Sequence, residues 1–385
     1  MTPGARVAAA ISVLDAISDG QAAEQALTRW ARASRFAGSG DRAAVRDHVF
    51  DVLRRRRSVA ARGGGATGRA LMLGLLREQG VDPETLFTGE GHAPAPLTAS
   101  EQNAGTEPGS EAERWNLPDW LAICFRNSLG TQAETTARAL QDRAPVTLRV
   151  NTKLTDAAEA AVKLDADGVG TRPLNGFPGA LLVTEGARRL RGSQAYTGGL
   201  VELQDAASQA VVSGLPPAAR CLDYCAGGGG KSLALAADPD RTVTAHDISP
   251  GRMRDLPARA ERAQVRIKTA TQRELVSQPP FDLVLCDAPC SGSGSWRRAP
   301  EAKWSLTPER LQELQDTQAQ ILAQAAALTS PGGWLIYVTC SVLPSENEDS
   351  VGRFLAAHPE WRCNATQRFD VTAENDGFFS AHLTR

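Results

Sequence analysis

Nowhere in the chain do roughly eighteen apolar residues run together, so no membrane-spanning helix is expected. The opening stretch, MTPGARVAAAISVLDAISDG, lacks the charged start, long apolar core and small-residue cleavage site of a secretion signal. A cytoplasmic protein is the expectation. Seven cysteines, an odd number in a chain without such a signal, argue against a disulfide framework. Internal repeats are absent. The net charge of −2 is too small to name a partner. What remains is 385 residues, 42% hydrophobic and 22% charged, the composition of a globular protein with two or three domains.

The charge becomes informative when divided along the chain. Residues 1–80 hold 13 arginines against seven acids, whereas residues 81–120 hold eight acids and only Arg114. A basic N-terminal module followed by an acidic stretch suits contact with a nucleic acid. The run Arg54–Arg57 fits that reading, and fits a solvated helix end equally well.

Periodicity separates the segments. Val7, Ile11, Leu14 and Ile17 recur at helical spacing, as do Val45, Val49, Val52 and Leu53, so residues 1–87 read as helices. Residues 88–114, rich in Gly, Pro, Ser and Glu, read as an acidic linker or long surface loop. Residues 115–200 form a connecting segment. It is first helical, with Trp120, Ile123 and Cys124 facing inward, and then a small mixed α/β part opening at VTLRVN. Residues 201–385 alternate strands with helices. Strands are predicted at Arg220–Cys225, Thr242–Ile248, Val265–Ala270, Phe281–Ala288 and Gly333–Cys340. A helix capped by Thr307 with Pro308 at its first position precedes the last of these, and Ser345 with Glu348 forms a capping box for another. The closing DGFFSAHLTR reads as an antiparallel strand at the sheet's edge. Strands alternating with helices imply a mostly parallel, doubly wound α/β sheet behind an all-helical N-terminal domain.

LDYCAGGGGKS, Leu222–Ser232, runs a strand straight into four glycines and a helix, a turn that lets backbone approach a ligand. A P-loop would need glycine where Cys225 stands. The dinucleotide fingerprint fails as well, with Ser232 at its third glycine position. An adenosine-containing ligand without a pyrophosphate fits better. Asp247, twenty residues after Gly227 at the end of the next strand, is placed to accept both ribose hydroxyls.

Two further strand ends carry thiols, Cys290 in DAPCSGSG and Cys340 in YVTCS. Cytosine C5 is too unreactive to attack a methyl sulfonium. Addition of a thiolate at C6 pushes electron density to C5, and a second thiol can assist release of the adduct. Asp287, three residues before Cys290, is a candidate acid near N3 of the ring. Cys286 alternates into the strand and reads as a buried small hydrophobe. Cys221-x3-Cys225 and Cys286-x3-Cys290 imitate zinc spacing, but each pair straddles a strand end with no histidine near, so no metal is expected. The residues alone leave open which of Cys290 and Cys340 attacks.

Together, CAGGGGK, DAPCSGSG, WRRAPEAKW, YVTCS, SENED and DGFF, with LRVN and YTGGLVELQDAASQ ahead of them, resemble the RNA 5-methylcytosine methyltransferases of the RsmB/Fmu/Sun type from Leu117 onward. The resemblance implies a class I (Rossmann-like) methyltransferase sheet with S-adenosylmethionine as methyl donor. It also implies Cys340 as nucleophile, Cys290 as the releasing thiol, and Asp287 against cofactor and base. The cofactor would lie on Cys225, Ala226, Gly227, Gly228, Gly229, Gly230, Lys231, Asp247 and Arg252. GSGDRAAVRDHVFDVLRRRRS resembles the NusB-like RNA-binding module of the small-subunit rRNA enzymes, which favours 16S rRNA or an assembly precursor over tRNA. A catalytically idle assembly factor is the alternative of another class. The turn departs from the family in placing Gly228 where proline is usual. The third strand offers Thr271, with Thr269 as the alternative, in place of the usual adenine-contacting aspartate. A monomer is expected.

Overall fold

The computed structural model describes residues 1–385. The chain divides into two compact units, one of Met1–Arg143 with Trp296–Ser305, the other of Ala144–Ser295 with Leu306–Arg385. No helix is long and apolar enough to cross a membrane.

The first unit is helical. Its opening helix, Pro3–Ser18, begins where the Thr2 hydroxyl accepts from the Ala5 N–H at 3.2 Å and Pro3 supplies the first helical position. Helices Ala23–Ala33, Ser39–Arg54, Arg56–Gly63 and Gly68–Glu78 follow. Val7, Leu14, Val45, Val49, Val52 and Leu53 meet in their common core with Leu71, Met72 and Leu75. The stretch 88–114, expected as a linker or long surface loop, belongs to this unit, with short helices at Ala99–Asn103 and Glu111–Trp115. Its acids explain why. Glu101 pairs with Arg69 at 2.6 Å, Glu107 pairs with Arg62, and Arg77 donates to the carbonyls of Arg62 and Ala104 at 2.7 Å. In helix Asp119–Leu129 the buried residues are Leu121, Ala122 and Phe125. Trp120 and Cys124 are half-buried and Ile123 is 52% exposed, so the predicted inward face is one position out of register.

The second unit contains two sheets. The smaller has strands β1 (Thr147–Val150), β2 (Thr171–Pro173), β3 (Ala180–Val183) and β4 (Val201–Leu203), all antiparallel, in the order β2-β3-β1-β4. The larger has β5 (Arg220–Asp223), β6 (Thr242–Ala245), β7 (Ile267–Thr269), β8 (Phe281–Asp287), β9 (Thr329–Thr339), β10 (Arg362–Phe369) and β11 (Phe378–Thr384), in the order β10-β11-β9-β8-β5-β6-β7. Five strands run parallel, and β11 and β10 pair antiparallel at one side. The C-terminal strand is therefore not the edge, since β10 covers it. Strand order reverses at β5, flanked by β6 and β8, and the crevice beyond its C-terminal end is where such sheets bind ligands. Helix Pro308–Leu328 is capped by the Thr307 hydroxyl, which accepts from the Arg310 N–H at 3.1 Å. Its buried residues include Leu311, Leu314, Leu322, Ala325 and Leu328. The helix predicted to start at Ser345 begins instead at Glu348, behind a 3-10 turn over Pro344–Glu346.

Candidate active site

The C-terminal ends of β5, β6, β8 and β9 bring four predicted pieces to one side of the sheet: the glycine turn, Asp247, the Asp287–Cys290 turn and the Cys340 turn. Parallel pairing dictates this, because β8 and β9 run in register from Leu283↔Trp334 to Asp287↔Val338. Both cysteine turns therefore leave the sheet side by side. Cys290 Sγ lies 3.5 Å from Cys340 Sγ, and both thiols are free and partly exposed.

Glu346 holds the turns together. It is fully buried, and its carboxylate accepts from the Ser291 N–H at 2.8 Å and from the Ser341 hydroxyl at 2.6 Å. The Ser291 hydroxyl at 2.5 Å and Gln318 Nε2 at 3.1 Å also donate to it. One carboxylate thus grips the residue after each cysteine. Ser293 and Ser341 add a hydroxyl contact of 2.9 Å between the turns, and the Gly294 N–H donates to the Cys340 carbonyl at 2.9 Å. A glycine is required at 294, because a Cβ there would stand 2.3 Å from the Gly377 carbonyl oxygen. The SGSG and DGFF stretches are in this way one packing contact.

The thiols are electrostatically unequal. A hydrogen bond from the Cys290 S–H to Cys340 holds the Cys340 thiol below its ordinary pKa against burial, with smaller help from Ser295 and Lys231. Donation to Cys340, then burial, raises Cys290 well above the ordinary range. The pair is thus unequal, with Cys340 held toward the thiolate and Cys290 toward the thiol. Beside them Lys231 Nζ pairs with Asp287 at 2.7 Å and lies 5.1 Å from the Phe378 ring centroid. Burial would lower the Lys231 pKa, but the charge of Asp287 and its hydrogen bond outweigh it and raise the group. Lys231, expected at the cofactor, is paired with Asp287, the residue expected against both cofactor and base.

The cofactor side is built on Asp247. Its carboxylate accepts from the Gly227 N–H at 2.9 Å, the Ser249 N–H at 2.9 Å and Arg252 at 3.1 Å. Gly227 and Gly229 hold φ of +53° and +80°, and a Cβ on Gly229 would lie 2.3 Å from Leu256 Cδ1. Ala226 is buried, Gly230 opens the helix Gly230–Leu235, and Gly228 is exposed with its carbonyl accepting from Arg259. A cavity of about 390 Å³ beside Asp247 is lined by Ile248, Pro250, Met253, Thr271 and Gln272 among others. Ile248 on its wall is 90% exposed. Thr271 lines the cavity, but its hydroxyl caps the helix Gln272–Val276 and bonds Glu274 at 2.8 Å. Cys225 packs against the core of β8 and β9, and burial pushes its thiol far up.

Four residues with no role assigned from sequence stand here as well. Glu346 was visible only as part of SENED, and Ile248 and Phe378 only as strand-end apolar residues. Asp223, at the end of β5, accepts from the Ser232 hydroxyl at 2.6 Å and leaves Oδ1 unpartnered. Burial raises its carboxyl to about 7.

Comparison with known proteins places the chain in a family. A family model described as 16S rRNA methyltransferase RsmB/F matches residues 214–384, and one for an RsmF/B-like ferredoxin-like domain matches residues 117–188. Ribosomal RNA small subunit methyltransferase B of Xylella fastidiosa is 35% identical over 288 residues, covering 70% of this chain and 67% of that protein. The protein of the same name from Cronobacter sakazakii is 31% identical, covering 71% and 67%. In fold, the crystal structure of a methyltransferase homolog from Pyrococcus horikoshii matches 71% of this chain and 96% of its own, with a TM-score of 0.61 at 22% identity. This chain belongs to the RsmB/F family of ribosomal RNA methyltransferases.

Proposed function

We propose that the protein methylates C5 of a cytosine in RNA, with small-subunit rRNA as the substrate, through a covalent adduct between Cys340 and C6 of the base. The observation that carries this reading is the 3.5 Å pair of free thiols at the ends of adjacent strands, with the Cys340 thiol shifted below its ordinary pKa and Cys290 above. A single nucleophile would need no thiol partner, whereas an adduct that must form and then be eliminated has a use for two.

In this reading the target base is unstacked to reach the sheet edge, so a loop or locally melted helix presents it. Cys340 adds as thiolate to C6, forming the S–C bond and moving the electron pair toward N3 and C5. Asp287 holds the N3–N4 edge of the ring, and Lys231, kept protonated beside it, supplies the proton that N3 takes. S-adenosylmethionine, held by the glycine turn, Asp247 and the adjoining cavity, supplies when bound the electrophilic methyl group for C5. The Cys290 S–H proton then passes to the departing Cys340 sulfur and the C5 proton passes to the Cys290 sulfur, so that the C5–H pair closes the C5=C6 bond as the C6–S bond breaks, and N3 returns its proton to Lys231. The rRNA assignment rests on the family and on the named relatives.

The test is incubation with methyl-labelled S-adenosylmethionine and total RNA from cells lacking the gene, followed by size fractionation and nucleoside analysis. The expected result is label as 5-methylcytosine in small-subunit rRNA. Label in tRNA would overturn the substrate, and label in another nucleoside would overturn the chemistry. Cys340→Ser should abolish transfer, and Cys290→Ala should accumulate a covalent protein–RNA adduct. An inactive Cys290→Ala protein with no adduct would remove Cys290 from the release step.

A further inference from the structure

Most of the arginines in the helical unit are consumed by its own fold. Arg54 donates to the Arg297 carbonyl and pairs with Asp51 at 3.0 Å, and Arg55 pairs with Glu78 at 3.5 Å. Arg56 lies over the Trp304 ring and Arg57 bonds Asp119 at 2.6 Å. The Arg54–Arg57 run, the most basic stretch in the sequence, is therefore internal wiring. Arg6, Arg46, Arg62, Arg69 and Arg77 are bound likewise to Asp41, Glu24, Glu107, Glu101 and backbone carbonyls.

Four arginines remain, and they share one corner. Arg29 and Arg32 lie on the last turns of helix Ala23–Ala33, Arg35 in the connection, and Arg42 on the first turn of helix Ser39–Arg54. All four are exposed. Arg32, Arg35 and Arg42 line one open pocket of about 600 Å³ with Thr28 and Ala31. The acids that could neutralise them are occupied. Glu24 is held by Arg46, and Asp41 by Arg6 and the N-terminal amine. Phe36, the residue after Arg35, is 77% exposed and lines a separate cavity with Ala5, Ala9 and Trp30.

We infer that this corner binds the backbone of single-stranded RNA, the four arginines neutralising phosphates while Phe36 stacks on a base. Unpaired guanidinium groups, three of them on one concave surface, with an exposed ring one residue after Arg35, combine the two elements by which single strands are held without sequence readout. The inference rests on RNA as the substrate and places a second contact outside the site that carries the cysteines. Its role is affinity and not chemistry, because backbone contacts position a nucleic acid and base contacts specify it.

The test uses the full chain and an unstructured oligouridylate, with binding measured across a salt series. For single strands each lost phosphate contact flattens the slope of log affinity against log salt by about 0.7. Replacing Arg29, Arg32, Arg35 and Arg42 by Gln should remove up to about 2.8 from that slope. The corresponding four Lys substitutions should restore most of it. Phe36→Ala should weaken binding roughly tenfold with the slope intact. Arg310→Gln, an exposed arginine of helix Pro308–Leu328 paired with Glu313, serves as the control and should leave the slope unchanged. A four-Gln variant with wild-type slope and affinity overturns the inference. So does a loss seen only toward anionic phospholipid vesicles, which would assign the corner to a membrane surface. Wild-type protein that methylates RNA while the four-Gln variant binds it unchanged refutes this inference alone. Wild-type protein that neither binds nor methylates RNA refutes the functional reading as well.

Discussion

Glu346→Gln separates the geometry of the cysteine pair from its chemistry, because it touches neither sulfur. The buried carboxylate receives four hydrogen bonds, two at each oxygen. Glutamine keeps an acceptor for the Ser291 N–H and Gln318, but places an NH₂ where two hydroxyls now donate. Ser341 can turn its proton to Ser293, 2.9 Å away, and accept from the new amide. The Ser291 hydroxyl exchanges its carboxylate acceptor for the new amide. Turning the charge-assisted bonds of a buried carboxylate into neutral ones and re-aiming two hydroxyls should cost the variant roughly 2–4 kcal/mol. The strain falls on the residues following Cys290 and Cys340. A displacement of about 1 Å there would lower turnover on the order of a hundredfold. Asp247 and the glycine turn share no bond with Glu346, so the KM for S-adenosylmethionine should not change. The assay is steady-state methyl transfer with both substrates varied, alongside a urea midpoint. Wild-type kcat in a destabilised Glu346→Gln protein would refute the claim that Glu346 sets the sulfur geometry. So would a kcat loss matched by an equal rise in the cofactor KM.

Three further outcomes follow from the same contacts. Because the Cys290 S–H is the largest cause of the low Cys340 pKa, Cys290→Ala should move the pH midpoint for iodoacetamide alkylation of Cys340 upward; an unmoved midpoint would mean that Cys290 does not poise the nucleophile. Arg259 donates to the Gly228 carbonyl and is itself held by Glu202 at 3.3 Å, which stiffens a turn that lacks its usual proline. Arg259→Gln should raise the KM for S-adenosylmethionine with kcat little changed, and Gly228→Pro in that background should lower it again; a kcat effect without a KM effect would sink this role. Lys303 is buried with Nζ on the Arg54 carbonyl at 2.8 Å, and burial followed by the Arg54 charge lowers it from 10.5 to about 7. Between those values the unfolded chain holds the proton that the folded one has released. Wild-type stability should therefore rise with pH relative to Lys303→Met by up to about 1.4 kcal/mol per unit from pH 7 upward, read from urea midpoints; parallel pH profiles would show that Lys303 stays charged when folded.

The parts of the fold legible in sequence are those where one local rule is sufficient. β5, β6, β8 and β9 are apolar runs buried on both faces between turn signals, and the helix after Thr307 has a capping hydroxyl, a first-turn proline and an apolar stripe. β10 was not legible. Six of its eight residues are exposed and its letters, RCNATQRF, read as loop, because an edge strand is specified by the backbone ladder of β11 and needs no apolar face. Hiding β10 also misplaces the C-terminal strand, which looks like an edge only when its outer neighbour is missing. Ser345 failed for a different reason. The Ser-x-x-Glu spacing is a valid capping signal, but tertiary demand for the Glu346 carboxylate at the cysteine turns winds Pro344–Glu346 into a 3-10 turn and leaves Asn347 as the residue before the helix.

Charge shows why a basic count along a chain is a weak guide to a binding face. The excess of arginine before residue 80 and the excess of acid after it looked like a module and a tether, yet much of each cancels the other within one folded unit. An arginine with a bidentate carboxylate or a buried carbonyl has lost the hydration and freedom that a phosphate contact would use, and taking it away would leave its partner unpaired. Sequence density selects Arg54–Arg57, which the fold has already used. Pairing selects Arg29, Arg32, Arg35 and Arg42, which are spread over fourteen residues and form no run. The same logic holds at the sheet edge, where the resemblance implies Lys231 at the cofactor. Its ammonium is already paired with Asp287, which fixes where its charge acts. In both places the partner a charged side chain already has decides what it remains free to bind.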